Sequence, residues 1–523
     1  MWHSATVRLS LGFVALAVFC LGIADLSITA HDPWHELGRL VQGLVQPDVS
    51  AVDDLWVALL RTLAFAFVGV GLGATAGFLL ALVFHSRLVR GICAFVRAIH
   101  ELFWALIFLQ FFGLHPLTGV LAIALPYAGV FAKVFAEILE ETDPLPERVL
   151  PAGSGRLSTL AFTRLSEAWP HLVSYTSYRL ECGLRSSAVL GFVGMPTLGF
   201  YLESAFAQGH YDTVGALLLL FYALIASLRL WVRPLLVPVY LVVAPFCLGS
   251  GLPIVWSNVS RFFTEDIVPS PLRHGEGVSG LVGWLGDIMA NEALPGIWQT
   301  LVLTQIALVL TGLLALALYP LVSRHFFQKR DFQRAFCQRL PFRQHLAVAK
   351  GHSTGSGRPG NRLAHLLGHG LLVIMRSTPE YLLAFILLQL WGPSMLPAVV
   401  ALAIHNGGII AHLVGRRSNE VRLRQDAPHG LERYAYELTP RLYGPFLALL
   451  FYRWEIIMRE TAILGILGIT TLGFYVDSAI QEIRFDRAMV LILITALLNI
   501  GVDVLARHLR ARLRLRHTAN CEP

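Results

Sequence analysis

Apolar residues in this chain gather into runs of about twenty, the length at which a helix rising roughly 1.5 Å per residue crosses about 30 Å of hydrocarbon. Length therefore counts spans rather than globular domains, and the expected fold is an all-α integral membrane protein. Composition agrees: 55% of residues are hydrophobic and 14% charged, against about 25% charged in soluble domains. The mean hydropathy is +0.62.

Bounded by charge, the runs fall near 9–28, 55–84, 98–113, 117–139, 169–196 and 214–232, then near 234–255, 294–322, 367–391, 396–415, 441–470 and 488–506. This pattern predicts twelve transmembrane helices. The first run is longer than the roughly 7–15 residues of a signal-peptide core, so a retained span is expected in place of a cleaved leader.

A net charge of +7 would admit a nucleic-acid partner, but the basic residues lie beside the spans. Arg324, Lys329, Arg330, Arg334, Arg339, Arg343, Lys350, Arg358 and Arg362 fill one loop, and Arg507, Arg510, Arg512, Arg514 and Arg516 follow the last span. That is the positive-inside pattern of a protein whose partner is lipid. It places both termini in the cytoplasm, and it puts outside the acidic loops carrying Asp53 and Asp54 and carrying Glu276, Asp287 and Glu292. The six cysteines are scattered without a Cys-x-x-Cys pair, which excludes the common zinc and redox motifs.

The chain repeats itself. Tyr178-Arg179-Leu180-Glu181 with Arg185, Gly191 and Gly194 recurs 274 residues later as Tyr452-Arg453-Trp454-Glu455 with Arg459, Gly465 and Gly468. Thr197 to Tyr201 recurs as Thr471 to Tyr475 at the same spacing, while Arg97, Glu101, Gln110, Gly113 and Gly129 match Arg376, Glu380, Gln389, Gly392 and Gly408 at a spacing of 279. Six spans per copy is an even number, so the copies share one orientation and are parallel repeats. The expected units are residues 1–233 and 234–523, the second enlarged by the basic loop at about 323–366.

Candidate functional residues are few. The loop between the fourth and fifth spans carries Glu147 and then Pro151-Ala152-Gly153, a spacing that suits a turn between two short cytoplasmic helices. In the fifth span of each copy, Glu181 with Arg185 and Glu455 with Arg459 are i,i+4 pairs in the favourable order. Charges in a span are costly and face a bundle interior or cavity. A locked packing pair and a role in passing an anion are both open, since Arg179 and Arg453 leave a positive surplus. Glu101 and Glu380 open spans, where they complement the helix dipole. Gly69, Gly73 and Gly77 allow close helix approach. His405 has no second histidine or carboxylate at ligand spacing on its own helix, so a packed histidine is expected and no metal site.

Together these blocks resemble the permease of phosphonate-type ABC importers. The resemblance is carried by the loop at Glu147 to Gly153, by Tyr175 to Glu181 with Arg185 to Gly191 and Gly194, by Glu101 to Leu106, and by Gly129 to Lys133 with Glu137; in the second copy it is carried by Pro379-Glu380 and Ala403 to Gly408. It implies a type I importer-like fold and two cytoplasmic coupling loops, Glu147 to Gly153 and a shortened counterpart from Glu420 to Gly430, seated on a separate ATPase dimer. It also implies an external solute-binding protein that delivers a phosphonate, phosphite or related small oxyanion across the inner membrane. The chain has no Gly-x-x-x-x-Gly-Lys-Ser/Thr loop, so ATP and Mg belong to the partner and no cofactor is expected in this chain. The implied path residues are Arg179, Glu181, Arg185, Arg453, Glu455 and Arg459. An ion-coupled secondary transporter or channel for a small anion is the alternative reading; parallel repeats and the scarcity of acidic residues deep in most spans weigh against it.

Overall fold

The computed structural model describes residues 5–50, 52, 54–142, 155–233, 235–249, 251–323, 359–424 and 430–513. Among the described residues the regular secondary structure is all helix, with no strand. Numbering only helices of ten residues or more, the first half holds α1 (Ala5–Leu21), α2 (Pro33–Val45), α3 (Leu55–Leu82), α4 (Arg87–Ala98), α5 (Glu101–Phe112), α6 (Pro116–Glu141), α7 (Leu165–Val189), α8 (Leu198–Ala207) and α9 (Tyr211–Trp231). The second half holds α10 (Val237–Cys247), α11 (Gly277–Ile288), α12 (Leu294–Leu318), α13 (Pro359–Ser377), α14 (Glu380–Trp391), α15 (Met395–Ser418), α16 (Thr439–Leu464), α17 (Leu472–Gln481) and α18 (Phe485–Arg512).

Among the described residues, six helices are long and apolar enough to span a membrane, and up to nine do so if each bent pair counts as one span. The expected third span at 98–113 is instead the pair α4 and α5, bent by 91°, and the expected run at 367–391 is α13 and α14, bent by 92°. Each bend has a local cause. Ile99 is extended, with φ −87° and ψ 131°, and His100 caps α5 by accepting the Leu102 amide at 3.2 Å. At the other bend Pro379, which has no N–H to continue a helix, precedes α14. Hydropathy counts apolar residues and is blind to such a break. The acidic segment before the expected span at 294–322 is also largely helix: it continues into that span, so that Gly277–Leu321 runs as 45 helical residues, and Asp287 and Glu292 on it bind Arg487 at 3.2 and 2.6 Å.

In the first half α3 packs along α6 and against α7; in the second, α12 packs along α15 and against α16. The glycine series of α3 makes this close: a Cβ at Gly69, Gly73 or Gly77 would lie 2.8, 2.9 and 2.4 Å from the Cβ atoms of Ile123, Tyr127 and Phe131 on α6. Repeated residues make repeated contacts. Thr62 Oγ1 accepts the Leu198 amide at 2.9 Å and Thr300 Oγ1 accepts the Leu472 amide at 3.0 Å. Gly194 and Gly468 end short turns at φ +84° and +87°, the left-handed region that glycine adopts freely.

The leading helices cross over. α1 lies on α12, Phe13 meets Trp454 at 5.3 Å, and Gln305 Nε2 donates to the Phe13 carbonyl at 2.9 Å. Conversely α10 lies on α3, with the Tyr240 ring 5.2 Å from Phe67. Each half is therefore braced by the helix that opens the other. Leu72, Leu79, Leu313, Leu493, Leu497 and Val504 stay exposed on the outer faces of α3, α12 and α18, as lipid requires and water does not.

Candidate functional site: a charged seam at α7 and α16

The conspicuous polar feature is a seam where α7 and α16 meet the bends of the opposite half. Arg185 Nη1 donates to the Arg376 carbonyl at 3.2 Å and the Tyr381 hydroxyl donates to the Arg185 carbonyl at 3.2 Å. The corresponding Arg459 Nη1 donates to the Arg97 carbonyl at 2.9 Å. Each arginine thus caps carbonyls freed at the other half's bend, which gives the bends a partner that sequence spacing alone does not disclose.

The carboxylates divide unequally. Glu181 stays with Arg185 at 3.9 Å, as the i,i+4 spacing anticipates. Glu455 does not turn to Arg459; it takes Arg97 at 3.5 Å, and Arg97 also binds Asp503 at 3.0 Å. Asn499 adds a bond to the Ala98 carbonyl at 2.8 Å. Arg97 and Asp503 are 406 residues apart in the chain, a contact no local pattern reveals.

Glu101 and Glu380 are the first residues of α5 and α14. Glu101 accepts the Ser186 hydroxyl at 2.7 Å, with the Tyr127 hydroxyl 3.3 Å from Ser186. Glu380 lies 3.5 Å from His405. Near it Glu460, which sequence reasoning passed over, accepts from Asn406 at 2.9 Å. With these neighbours included, Arg97, Arg179, Arg185, Arg376, Arg453 and Arg459 stand beside Glu101, Glu181, Glu380, Glu455, Glu460 and Asp503. Arg507 also pairs with Asp503, at 3.1 Å, so seven arginines against six carboxylates reduce the surplus of the repeated motif to one formal positive charge.

What survives is local. Among the described residues, neither Arg179 nor Arg453 has a carboxylate within ion-pair distance. Arg179 Nε donates to the Tyr175 hydroxyl at 2.8 Å, and its guanidinium lies over the rings of Tyr175, Tyr178 and Tyr127 at 5.3, 5.8 and 5.9 Å. Arg453 Nη1 donates to Asn406 Oδ1 at 3.3 Å. Tyr127 and Asn406 are themselves equivalent at the spacing of 279, so the two arginines meet the same position of the repeat. Neutral partners hold a guanidinium in place while leaving its charge uncompensated.

Of the coupling loops, Glu147, Ala152 and Gly153 lie outside the described residues. Glu420 is exposed just beyond α15, and Gly430, at φ +62°, opens a three-residue helix. Arg424 is held by a residue that the sequence did not single out: buried Glu437 accepts the Arg424 amide at 3.1 Å and binds Arg441 at 2.9 Å. Its position corresponds to Thr163 in the first half, so no repeat flagged it.

A bundle of long apolar helices with an apolar exterior, enclosing charge that two sets of helices share, defines a multi-pass membrane protein. Among known proteins, the chain is 24% identical over 507 residues to the phosphate-import permease protein PhnE of Mycolicibacterium smegmatis, covering 91% of this chain and 88% of that one. It is 30% identical over 211 residues to the putative phosphite transport system permease protein HtxC of Stutzerimonas stutzeri, 38% of this chain and 74% of the relative. It is also 30% identical over 110 residues to the putative cryptic phosphonate transport system permease protein PhnE2 of Escherichia coli, 21% of this chain and 90% of the relative. The chain belongs to the permease family of phosphite- and phosphonate-type transport systems. No family model and no solved structure matches it.

Proposed function

We propose that this chain is a two-unit permease subunit of an ATP-binding cassette importer, its units 1–233 and 234–523 forming twelve spans as two parallel sets of six. It lies in the inner membrane with both termini cytoplasmic and carries a phosphonate, phosphite or related small oxyanion inward. The relatives' printed substrates, phosphate, phosphite and phosphonate, share a tetrahedral phosphorus oxyanion, which supports that cargo class. The partners are an ATPase dimer, engaged by the loops at Glu147, Ala152 and Gly153 and at Glu420 and Gly430, and an external solute-binding protein. ATP and Mg act in the ATPase, and this subunit is not itself an enzyme.

The observation that carries the reading is the pair Arg179 and Arg453, one per unit, held by neutral groups at equivalent positions. A guanidinium without a carboxylate partner in a low-dielectric seam lowers the barrier to an anion, and its fork matches an oxyanion edge. Glu181, Arg185, Glu455 and Arg459 flank it; Arg185, Glu455 and Arg459 bond across the two units, and Glu181 pairs with Arg185 on its own helix. The test is uptake of labelled phosphite and methylphosphonate by the assembled transporter in proteoliposomes, normalised to folded permease. Arg179→Gln with Arg453→Gln should cut uptake at least about tenfold, the loss of about 1.4 kcal/mol from the barrier; unchanged uptake would make the pair structural.

A further inference from the structure

The second half holds three ligating side chains that transport leaves unused. Glu380 opens α14, His405 sits midway along α15 and Glu460 lies on α16, and one ligand atom from each falls within 4.8 Å of the others. Sequence spacing hid the group because each ligand comes from a different helix. All three are withdrawn from solvent, with the Glu380 and His405 side chains 14% and 3% exposed and Glu460 buried.

The outer nitrogen of His405 decides the state of the inner one. Nδ1 lies 2.7 Å from the Thr378 carbonyl, and a carbonyl only accepts, so Nδ1 carries the proton and the neutral ring turns its Nε2 lone pair inward. That lone pair faces Glu380 Oε2 at 3.5 Å. The gap is longer than the roughly 2.7–3.2 Å of an N–H···O bond. It matches the separation of two donors each about 2.1 Å from one metal at a tetrahedral angle, about 3.4 Å. A histidine whose far nitrogen is fixed by a backbone carbonyl is also the usual second layer of a metal site.

Comparison of the halves sharpens the point. At the positions equivalent to Glu380, His405 and Glu460 the first half has Glu101, Pro126 and Ser186, and there Ser186 simply donates to the carboxylate. The second half replaces that donor with another carboxylate. Asn406 satisfies one oxygen of Glu460, and among the described residues no arginine or lysine nitrogen comes within ion-pair distance of Glu380 or Glu460. The guanidiniums of Arg185, Arg453 and Arg459 are committed to the Arg376 carbonyl, Asn406 Oδ1 and the Arg97 carbonyl. Two buried carboxylates and a lone pair converging on one point, with the neighbouring guanidiniums outside ion-pair distance, favour a cation there.

We propose that Glu380, His405 and Glu460 bind one divalent transition-metal ion, a nitrogen and oxygen donor set suited to Zn²⁺, which ties α14, α15 and α16 together beside the seam. The competing occupant is a proton shared by the carboxylates. The test uses the full chain purified in detergent through a non-histidine tag, incubated with Zn²⁺, desalted and analysed for metal by mass spectrometry. The native chain should retain close to one Zn²⁺, His405→Gln and Glu460→Gln should fall to background, and Glu101→Gln at the equivalent position should match the native chain. Co²⁺ substituted into the native chain should give visible ligand-field bands that both variants lose. Because metal retention by the native chain is read without any substitution, a variant that misfolds does not blur the result. No retained Zn²⁺ and no Co²⁺ bands in the native chain would overturn the proposal in favour of the shared proton. Equal retention by the native chain and by well-folded Glu460→Gln would overturn it too, by placing the metal elsewhere.

Discussion

At the scale of single residues, the seam separates arginines that hold structure from arginines that carry free charge. Arg185 and Arg459 spend donors on carbonyls of the opposite half, and removing them uncaps a bend. Arg185→Ala and Arg459→Ala are expected to destabilise by about 2–3 kcal/mol, since each leaves a buried acceptor unmet, and the check is the melting temperature of detergent-purified protein. Arg179→Gln should leave that temperature nearly unchanged while uptake falls. Glu36 supplies a pH readout outside the membrane. The Tyr211 hydroxyl donates to it at 2.5 Å and Arg39 pairs with it at 3.3 Å, so its carboxyl is held below the usual range. A carboxyl depressed in the folded state stabilises above its unfolded pKa and stops doing so as pH falls through the folded value. Melting temperatures of native and Glu36→Gln protein should therefore differ at neutral pH and converge on acidification; a constant difference would show that the tie is not the ionised one.

At the scale of elements, the repeated glycines are close-contact points and not ornaments of the motif. A Cβ on Gly199 would lie 1.8 Å from the Ala188 carbonyl oxygen, and on Gly473 1.8 Å from that of Ala462. Gly199→Val and Gly473→Val should each cost about 3 kcal/mol, read as lost monodisperse protein. The repeat made these positions legible, because equal spacing marks equal packing. Other features were not legible for physical reasons. The bends at Ile99 and Thr378 interrupt apolar runs without lowering hydropathy. The Arg97 bond to Asp503 joins helices far apart in sequence, and the group at His405 draws one residue from each of three successive helices, where the periodicity of a single helix carries no information. Glu437 has Thr163 at its equivalent position, so the repeat does not mark it. For the first proposed coupling loop, Gly153→Ile should abolish coupled transport while leaving insertion intact, because a β-branched side chain resists the turn the spacing calls for; full transport by that variant would remove Gly153 from the coupling surface.

At the scale of the molecule, the crossing of α1 and α10 joins the two halves more firmly than the chain connection alone. Each half carries on its flank a helix belonging to the other, so relative motion has to carry both leading helices with it. The seam lies between the same two halves, and an alternation that opens it must break the reciprocal bonds of Arg185 and Arg459 together. The central claim is that this movement is driven by a separate ATPase and serves a phosphorus oxyanion. The most direct test is ATP hydrolysis by the reconstituted assembly of permease, ATPase and solute-binding protein, with phosphite, methylphosphonate, phosphate and sulfate as candidate ligands. The account predicts hydrolysis stimulated by at least one phosphorus oxyanion in the presence of the binding protein, with matching ATP-dependent uptake and none from sulfate. Uptake by the permease alone, without ATPase or ATP, would contradict it.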